Sequence, residues 1–166
     1  VVPPLDLGRQ ALVFTGKMDF RPNVDAVLWF ANSVLPLIRL RAPESTVYVV
    51  GKNPHPRLEP LRGIAGVTLT GYVEDVRPFI EGASVYVVPL QTGGGTRLKV
   101  LEAMAMGKAL VTTTLGGEGI DAQPGKHWIV ADEADAFAAQ VLALLADRSC
   151  ATGLGLAARE FAVSRF

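Results

Sequence analysis

Six short apolar runs are the feature that most constrains the fold of this chain. They are apolar along most of their length rather than at every second residue, and several end at a glycine or a proline. Runs of this kind are typical of parallel strands buried on both faces, because helices cover both sides of such a sheet. The predicted strands are residues 11–16, 45–51, 67–71, 84–90, 109–114 and 127–132.

The segments between these runs carry helical patterns. After Arg21, apolar residues recur at helical spacing, and Asn23 is the expected N-cap. Further helices are expected over residues 76–83, 96–106, 135–147 and 149–166. Strands that alternate with helices predict an α/β fold: a Rossmann-like, doubly wound parallel sheet of about six strands, with helices on both faces.

Charge and composition exclude several classes of function. The 16 basic and 16 acidic residues balance, so the chain has no basic field for nucleic acid. Cys150 is the only cysteine, which excludes an internal disulfide and a thiolate metal cluster and fits a reducing compartment. The longest apolar stretch, residues 26–38, is interrupted and too short to span a bilayer.

The start of the sequence suggests a piece of a longer protein. It lacks an initiator methionine and is rich in proline. We therefore expect residues 1–10 to be the remnant of an interdomain linker, and residues 11–166 to be one excised domain.

The loops after the first and fourth strands are the expected ligand site. Ligands of doubly wound sheets bind beyond the carboxyl ends of the strands, where the strand order reverses. The first and fourth strands flank that crevice, so their loops are expected to converge on one ligand. The first loop contributes Gly16, Lys17 and Arg21, and the fourth contributes Gly93, Gly94 and Gly95.

The fourth loop has the composition of an anion site. Glycines let a ligand approach backbone N–H groups, and the helix that begins near Thr96 points its free N–H groups to the same place. Arg97 and Lys99 lie in the first turn, where the helix dipole disfavours cations unless an anion binds. Glu102, one turn further, is suited to accept hydrogen bonds from a vicinal diol such as a ribose. The alternative is a glycine-rich turn with a solvated Arg97 and a local Lys99–Glu102 ion pair.

Other ligand motifs do not match. The glycines do not form the Gly-x-Gly-x-x-Gly pattern of dinucleotide-binding folds, and the loop lacks the Gly-Lys-Ser/Thr ending of a Walker loop. No Asp-x-Asp occurs, and neither His55 nor His127 has a second ligand at metal spacing. The sequence therefore does not indicate a metal site.

These residues also carry a family resemblance. The chain resembles the C-terminal, donor-binding domain of GT-B glycosyltransferases, most closely the large retaining family four (glycosyl transferases group 1). The likeness covers nearly the whole chain, and its most specific segment is "LKVLEAMAMGKALV". The other matching segments are "GKMDFRPNVDAVLWF", "LPLIRLRAPESTVYVVG", "VTLTGYVEDVRPFIEGASVYVVPL" and "GGEGIDAQPGKHWIVAD".

The resemblance implies roles for individual residues. Family members usually carry two glutamates separated by seven residues; the second matches Glu102 and implies contact with the donor's ribose. The first falls on Gly94, a departure that removes the usual carboxylate contact to the donor sugar. Lys17 and Arg21 correspond loosely to a basic pair after the first strand, and Tyr72 follows the strand near which the family places the base.

The implied function is transfer of a sugar from a nucleoside-diphosphate sugar to an acceptor, with retention of anomeric configuration. Arg97 and Lys99 would stabilise the leaving diphosphate, so neither a metal nor another cofactor is expected. The expected partners are the nucleotide-sugar donor and the protein's own N-terminal, acceptor-binding domain, without which this domain is predicted to be inactive. A cytoplasmic location is expected, with peripheral association at the inner face of the membrane through the absent domain as a further option.

Two alternatives stay open at the level of sequence. One is a non-catalytic nucleotide-sugar-binding domain, which Gly94 in place of glutamate favours. The other is a nucleotide-sugar epimerase with a related two-domain fold.

Overall fold

A six-stranded parallel sheet forms the centre of the computed structural model, which describes residues 3–93 and 97–166. The strands are β1 (Ala11–Thr15), β2 (Thr46–Val50), β3 (Val67–Gly71), β4 (Val85–Val88), β5 (Leu110–Thr112) and β6 (Ile129–Val130). The strand order is β3-β2-β1-β4-β5-β6, and each described pairing is parallel. The predicted doubly wound sheet is thus confirmed, and β1 and β4 are neighbours at the point where the order reverses.

The central strands are buried along their whole length. Each residue of β1, β4 and β5 is buried, which explains why these strands appear in the sequence as continuous apolar runs. β6 lies at one edge, has two residues and is half-buried.

Helices cover the sheet in two groups. The helices are α1 (Arg21–Trp29), α2 (Leu35–Arg41), α3 (Arg77–Gly82), α4 (Arg97–Ala105), α5 (Ala134–Ala146) and α6 (Arg148–Arg165). α5 packs against α2, whereas α6 packs against α4. Because crossovers between parallel strands are right-handed, these two groups lie on opposite faces of the sheet.

The first helical segment differs from its prediction in two ways. Phe20, not Asn23, is the N-cap residue of α1, and Asn23 lies buried in the first turn. A π-helical segment, Phe30–Val34, separates α1 from α2. Pro36 gives the physical reason, since it has no N–H to donate and its ring crowds the carbonyl four residues earlier, at Asn32.

One element is absent from the sequence-based prediction. Residues Pro56–Gly63 form a 3₁₀ helix in a stretch for which the sequence predicted neither a helix nor a strand. Its side chains Leu58 and Leu61 are buried, and Pro56 occupies its first turn. Two prolines in eight residues obscure a helical pattern, although proline is well tolerated at the start of a helix.

The segment before β1 packs against α3. The Leu5 N–H donates to the Pro78 carbonyl at 3.2 Å, and a side chain at Gly82 would collide with the Leu5 backbone. That residues 1–10 are the remnant of an interdomain linker stays a prediction.

The last two helices meet at Asp147, whose carboxylate accepts from the Cys150 N–H at 3.0 Å. No single helix within residues 3–93 and 97–166 is long and apolar enough to cross a bilayer. α5 and α6 reach that length and composition as a pair, bent by 105° at their junction.

Two glycines in α6 give a matched pair of stability predictions. A Cβ at Gly155 would collide with the backbone carbonyl of Gly107, just after α4, where α6 packs on that helix. A Cβ at Gly153 would meet no atom within 4 Å. We expect Gly155→Ala to lower the free energy of unfolding by about 1–3 kcal/mol through overpacking. Gly153→Ala should raise it by about 0.5–1 kcal/mol, because alanine favours the helix. Urea denaturation of both variants tests this, and two changes of the same sign would contradict it.

Candidate functional site

A cleft opens at the carboxyl ends of β1 and β4. It has a volume of about 460 Å³, within the usual range of about 300–1,000 Å³ for small-molecule sites. Three predicted site residues, Gly16, Lys17 and Lys99, meet there. The complete lining is Gly16, Lys17, Phe20, Asn23, Leu98 and Lys99. The loop after β1 and the first turn of α4 therefore line one cleft, and that the two loops converge on one ligand stays a prediction.

Lys99 is the best-placed cation of this cleft. It lies in the first turn of α4, and its Nζ donates to Asn23 Oδ1 of α1 at 3.0 Å. The ammonium also lies 4.7 Å from the centre of the Phe14 ring of β1, within cation–π distance. Strand, loop and both helices thus place one cation at the switch point of the sheet.

Burial makes this cation unusual. Desolvation lowers the pKa of Lys99 to about 8, because the surrounding side chains are mostly apolar. The position at a helix N-terminus disfavours the charge further. An anion bound in the cleft would offset both penalties, since it supplies the opposite charge that the described surroundings of Lys99 lack.

Asn23 is the site residue that sequence reasoning assigned wrongly. It is 3% exposed, and besides accepting from Lys99 its Nδ2 donates to the Lys17 carbonyl at 3.0 Å. An asparagine near a helix start is usually a cap, so the sequence pattern favoured that interpretation. The contact with Lys99 joins positions 76 residues apart, which no local pattern reveals.

Position 16 requires a glycine for two reasons: its backbone conformation and the side chains packed around it. Its φ is +152°, and a Cβ there would collide with both Lys99 Nζ and Asn23 Nδ2. The glycine after β1 therefore makes room for the lysine–asparagine contact. Its N–H donates to the Val50 carbonyl at 3.1 Å, which fixes the loop to β2.

Four predicted site residues that the structure describes lie outside the lining of this cleft: Arg21, Tyr72, Gly93 and Glu102. Arg21 has an 86% exposed side chain that faces Asp25 at 3.7 Å. Tyr72 is 71% exposed beyond β3. Glu102 is exposed on α4, within electrostatic range of Arg77. Lys99 and Glu102 both lie in the described part of the chain and no ion pair joins them, so the local ion-pair alternative is wrong.

The beginning of the fourth loop is anchored on α1. Gly93 has a φ of +70°, and a Cβ there would collide with the Pro22 ring. Thr92 donates to the Asp25 carboxylate at 3.2 Å. The predicted site residues Gly94, Gly95 and Thr96, and the side chain of Arg97, lie outside what the structure describes.

A buried hydrogen bond joins two strands just before the loop that lines the cleft. Tyr86 of β4 and Thr15 of β1 pair through their hydroxyl oxygens at 2.7 Å. Burial raises the pKa of Tyr86, so its phenol stays protonated at neutral pH. This pair joins the two strands that carry the site.

Among the described residues, no cluster of metal ligands is present, and the lysine beside another hollow is already bonded to backbone carbonyls. Within the described ranges, no three His, Cys, Asp or Glu side chains come together in a way that could hold a metal ion. A wider hollow of about 640 Å³ lies near the amino ends of the strands, beside Arg9 and Lys108. Lys108 already donates to the Glu81 and Ala83 carbonyls, at 3.1 and 2.8 Å, and so caps α3.

Known proteins resemble this chain in sequence and in fold. A GDP-mannose-dependent alpha-(1-6)-phosphatidylinositol monomannoside mannosyltransferase from Mycobacterium tuberculosis is 31% identical over 151 residues, which cover 81% of this chain and 39% of that protein. A Klebsiella pneumoniae 44.6 kDa protein in the cps region is 22% identical over 145 residues, 82% of this chain and 37% of the relative. The chain thus spans less than two fifths of the length of these relatives.

Among solved structures, the G117R mutant of S. aureus TarM, in complex with Fondaparinux, alpha-GlcNAc-glycerol and UDP, has a TM-score of 0.78 at 18% identity. The match covers all of this chain and 34% of TarM. At this identity the likeness concerns the fold, a Rossmann-like half of the GT-B architecture.

A family model decides the assignment. The model described as "Glycosyl transferases group 1" matches residues 9–147, which include both site loops, β1 to β6 and α1 to α5. With most of its length matched, this chain belongs to the group 1 family of glycosyl transferases.

Proposed function

We propose that this chain is the donor-binding domain of an enzyme that transfers a sugar from a nucleoside-diphosphate sugar to an acceptor. The reaction proceeds with retention and without a metal ion. Membership of the family supports sugar transfer in general. The UDP in the complexes of TarM and of an Anabaena protein, Alr3699/HepE, solved with UDP and glucose, supports a nucleotide-linked donor.

One observation carries the proposal: Lys99 is a half-buried cation in the first turn of α4, inside the cleft between the β1 and β4 loops. A positive charge in that place lowers the stability of the empty protein. It becomes favourable when a diphosphate binds, which is the signature of a site kept for its ligand.

The roles of the residues follow from their positions. As the bond between sugar and diphosphate breaks, negative charge grows on the diphosphate, and Lys99 with the free N–H groups of α4 stabilises it. Lys17 adds a second, exposed cation at the rim of the cleft. Arg97 has the same role, and Glu102 accepts hydrogen bonds from the ribose of the donor.

The rest of the enzyme lies outside this chain. An N-terminal, acceptor-binding domain supplies the other wall of the cleft, and this domain alone is inactive. The location is cytoplasmic, and contact with the inner face of the membrane runs through that second domain.

The first test is binding without a metal. We expect the chain to bind at least one of UDP, GDP and ADP with unchanged affinity in the presence of excess EDTA, because cationic side chains replace the metal. Isothermal titration calorimetry with and without chelator measures this. Binding that requires magnesium or manganese would contradict the metal-independent mechanism.

Glu102 is tested with ligands that lack the ribose diol. Glu102→Gln should weaken the binding of ribonucleoside diphosphates by about 10- to 150-fold, because a hydrogen bond to a charged group contributes about 1.5–3 kcal/mol. Binding of 2′,3′-dideoxy analogues should change little. Glu118→Gln, at another exposed glutamate, is the matched control. Equal losses for both ligand sets would instead assign Glu102 a structural role.

The alternative function is nucleotide-sugar binding without catalysis. Gly94, where the family usually carries a glutamate, favours it because the carboxylate contact to the donor sugar is missing. Turnover of a nucleoside-diphosphate sugar by the full-length protein separates the two functions. Donor binding with no transfer to any acceptor would favour the non-catalytic alternative.

A further inference from the structure

We propose that Asn23 is a positioning residue for Lys99: its neutral side-chain amide holds the ammonium in the cleft and leaves the positive charge available for a diphosphate. This inference rests on the proposed function, because it assigns the asparagine a role in binding the nucleoside-diphosphate ligand. Neither the sequence patterns nor the family resemblance identified Asn23 as a site residue.

The orientation of the Asn23 amide is set by its two partners. An ammonium can only donate a hydrogen bond, and a backbone carbonyl can only accept one. The amide oxygen must therefore face Lys99 Nζ, at 3.0 Å, and the amide nitrogen must face the Lys17 carbonyl, also at 3.0 Å. The side chain is 3% exposed, so water does not replace either partner easily.

These two bonds tie the site together. Asn23 belongs to α1, Lys17 to the loop after β1, and Lys99 to α4. Gly16 lacks a side chain at the point where these three meet. The amide therefore sets where the lysine nitrogen lies relative to the first loop.

The surroundings of Lys99 leave its charge unpaired among the described residues. Phe14 of β1 and Asn23 of α1 are its neutral neighbours, and Lys17 is the other ionisable side chain that lines the cleft. The nearest acid along α1, Asp25, is already paired, with Arg57 at 3.0 Å and Arg21 at 3.7 Å. On α4 itself, no ion pair joins Lys99 to Glu102, and the side chain of Arg97 is not described.

A carboxylate at position 23 would change this arrangement. Aspartate has nearly the same shape, but it would form an ion pair with Lys99 and neutralise the charge that the ligand needs. It would also turn an acceptor towards the Lys17 carbonyl, where the amide now donates. Asparagine meets both requirements: it holds the cation and it adds no charge.

The test compares Asn23→Asp with Asn23→Ala. We expect Asn23→Asp to weaken binding of UDP, GDP or ADP, whichever binds the parent chain best, by at least 10-fold. Its carboxylate should also raise the pKa of Lys99, because a nearby negative charge favours the charged form. In Asn23→Ala, affinity should also fall, but the pKa of Lys99 should stay or move down, since the charged form loses an acceptor.

Two properties are measured for each variant. Calorimetry gives the affinity, and pH-dependent acylation of Lys99, quantified by mass spectrometry, gives the titration of its amine without any ligand. Asn32→Asp adds the same charge at an exposed position of the same helical segment. This control should change neither the affinity for the nucleoside diphosphate nor the titration of Lys99. Circular dichroism confirms that each variant is folded; if Asn23→Asp does not fold, Asn23→Ala carries the test.

The outcomes separate this inference from the proposed function. If folded Asn23 variants bind like the parent chain and their Lys99 titrates as in the parent, the positioning role is overturned. If the parent binds no nucleoside diphosphate, the proposed function fails, and with it the ligand part of this inference; the acylation profile then still decides whether Asn23 controls Lys99. A pKa of Lys99 that rises in Asn23→Asp and stays or falls in Asn23→Ala, together with lost affinity in both variants, establishes the role.

Discussion

Replacing Lys99 with methionine is expected to lower the affinity of this chain for nucleoside diphosphates by about 10- to 150-fold. The change removes a charged hydrogen-bond donor from the cleft, which corresponds to about 1.5–3 kcal/mol. Methionine keeps most of the aliphatic stem, so packing over Phe14 is largely retained. Lys126→Met, at an exposed lysine remote in sequence, is the matched control and should bind like the parent. Isothermal titration calorimetry at low salt measures all three proteins.

The pH dependence of the parent provides a check on the same residue. Burial lowers the pKa of Lys99 to about 8, so its ammonium is present at pH 7 and is lost as the pH rises through that value. Affinity for the diphosphate should therefore fall above about pH 8 in the parent and not in Lys99→Met. The stability of the empty chain should change with pH in the opposite direction. Between about pH 8 and the usual lysine pKa of about 10.4, the unfolded state binds more protons than the folded state, so the free energy of unfolding rises with pH. An affinity that is flat from pH 7 to 9.5 would contradict the assignment of Lys99.

Replacing Gly16 with alanine is expected to disturb both the fold and the site. The added Cβ would collide with Lys99 Nζ and Asn23 Nδ2, and alanine is strained at a φ of +152°. Strain and overpacking each cost about 1–3 kcal/mol, so the free energy of unfolding should fall by about 2–6 kcal/mol. Displacement of Lys99 should also weaken nucleoside-diphosphate binding at least 10-fold. The contact with two site side chains explains why one methyl group has both effects.

Gly63→Ala separates these effects from a general intolerance of alanine. A Cβ at Gly63 meets no atom within 4 Å, so this variant should melt and bind like the parent chain. Differential scanning fluorimetry and calorimetry on both variants complete the test. A Gly16→Ala protein with the parent's melting temperature and affinity would show that the close packing around Gly16 is not needed.

Much of the fold followed from the sequence because burial of a parallel sheet is a local property of the chain. A strand such as Val85–Val88, covered on both faces, must be apolar at each position, and that pattern is visible without any tertiary information. Alternation with helical segments then indicated the doubly wound order, and the order placed the loops after β1 and β4 side by side. The convergence of Gly16, Lys17 and Lys99 was predictable for that reason.

The tertiary structure alone decided which side chains meet in the cleft. Lys99 and Glu102 are three residues apart on one helix, yet Lys99 contacts Asn23 of α1, and Glu102 remains exposed. Arg21 follows the predicted loop, but its side chain faces Asp25. The Arg21–Asp25 pair is local, four residues apart on α1, but the Lys99–Asn23 contact depends on how α1 and α4 pack, and that packing is not encoded in the spacing of either helix. The sequence by itself therefore determined the sheet and the place of the site, whereas long-range packing decided that a buried asparagine, not a glutamate, holds its central cation.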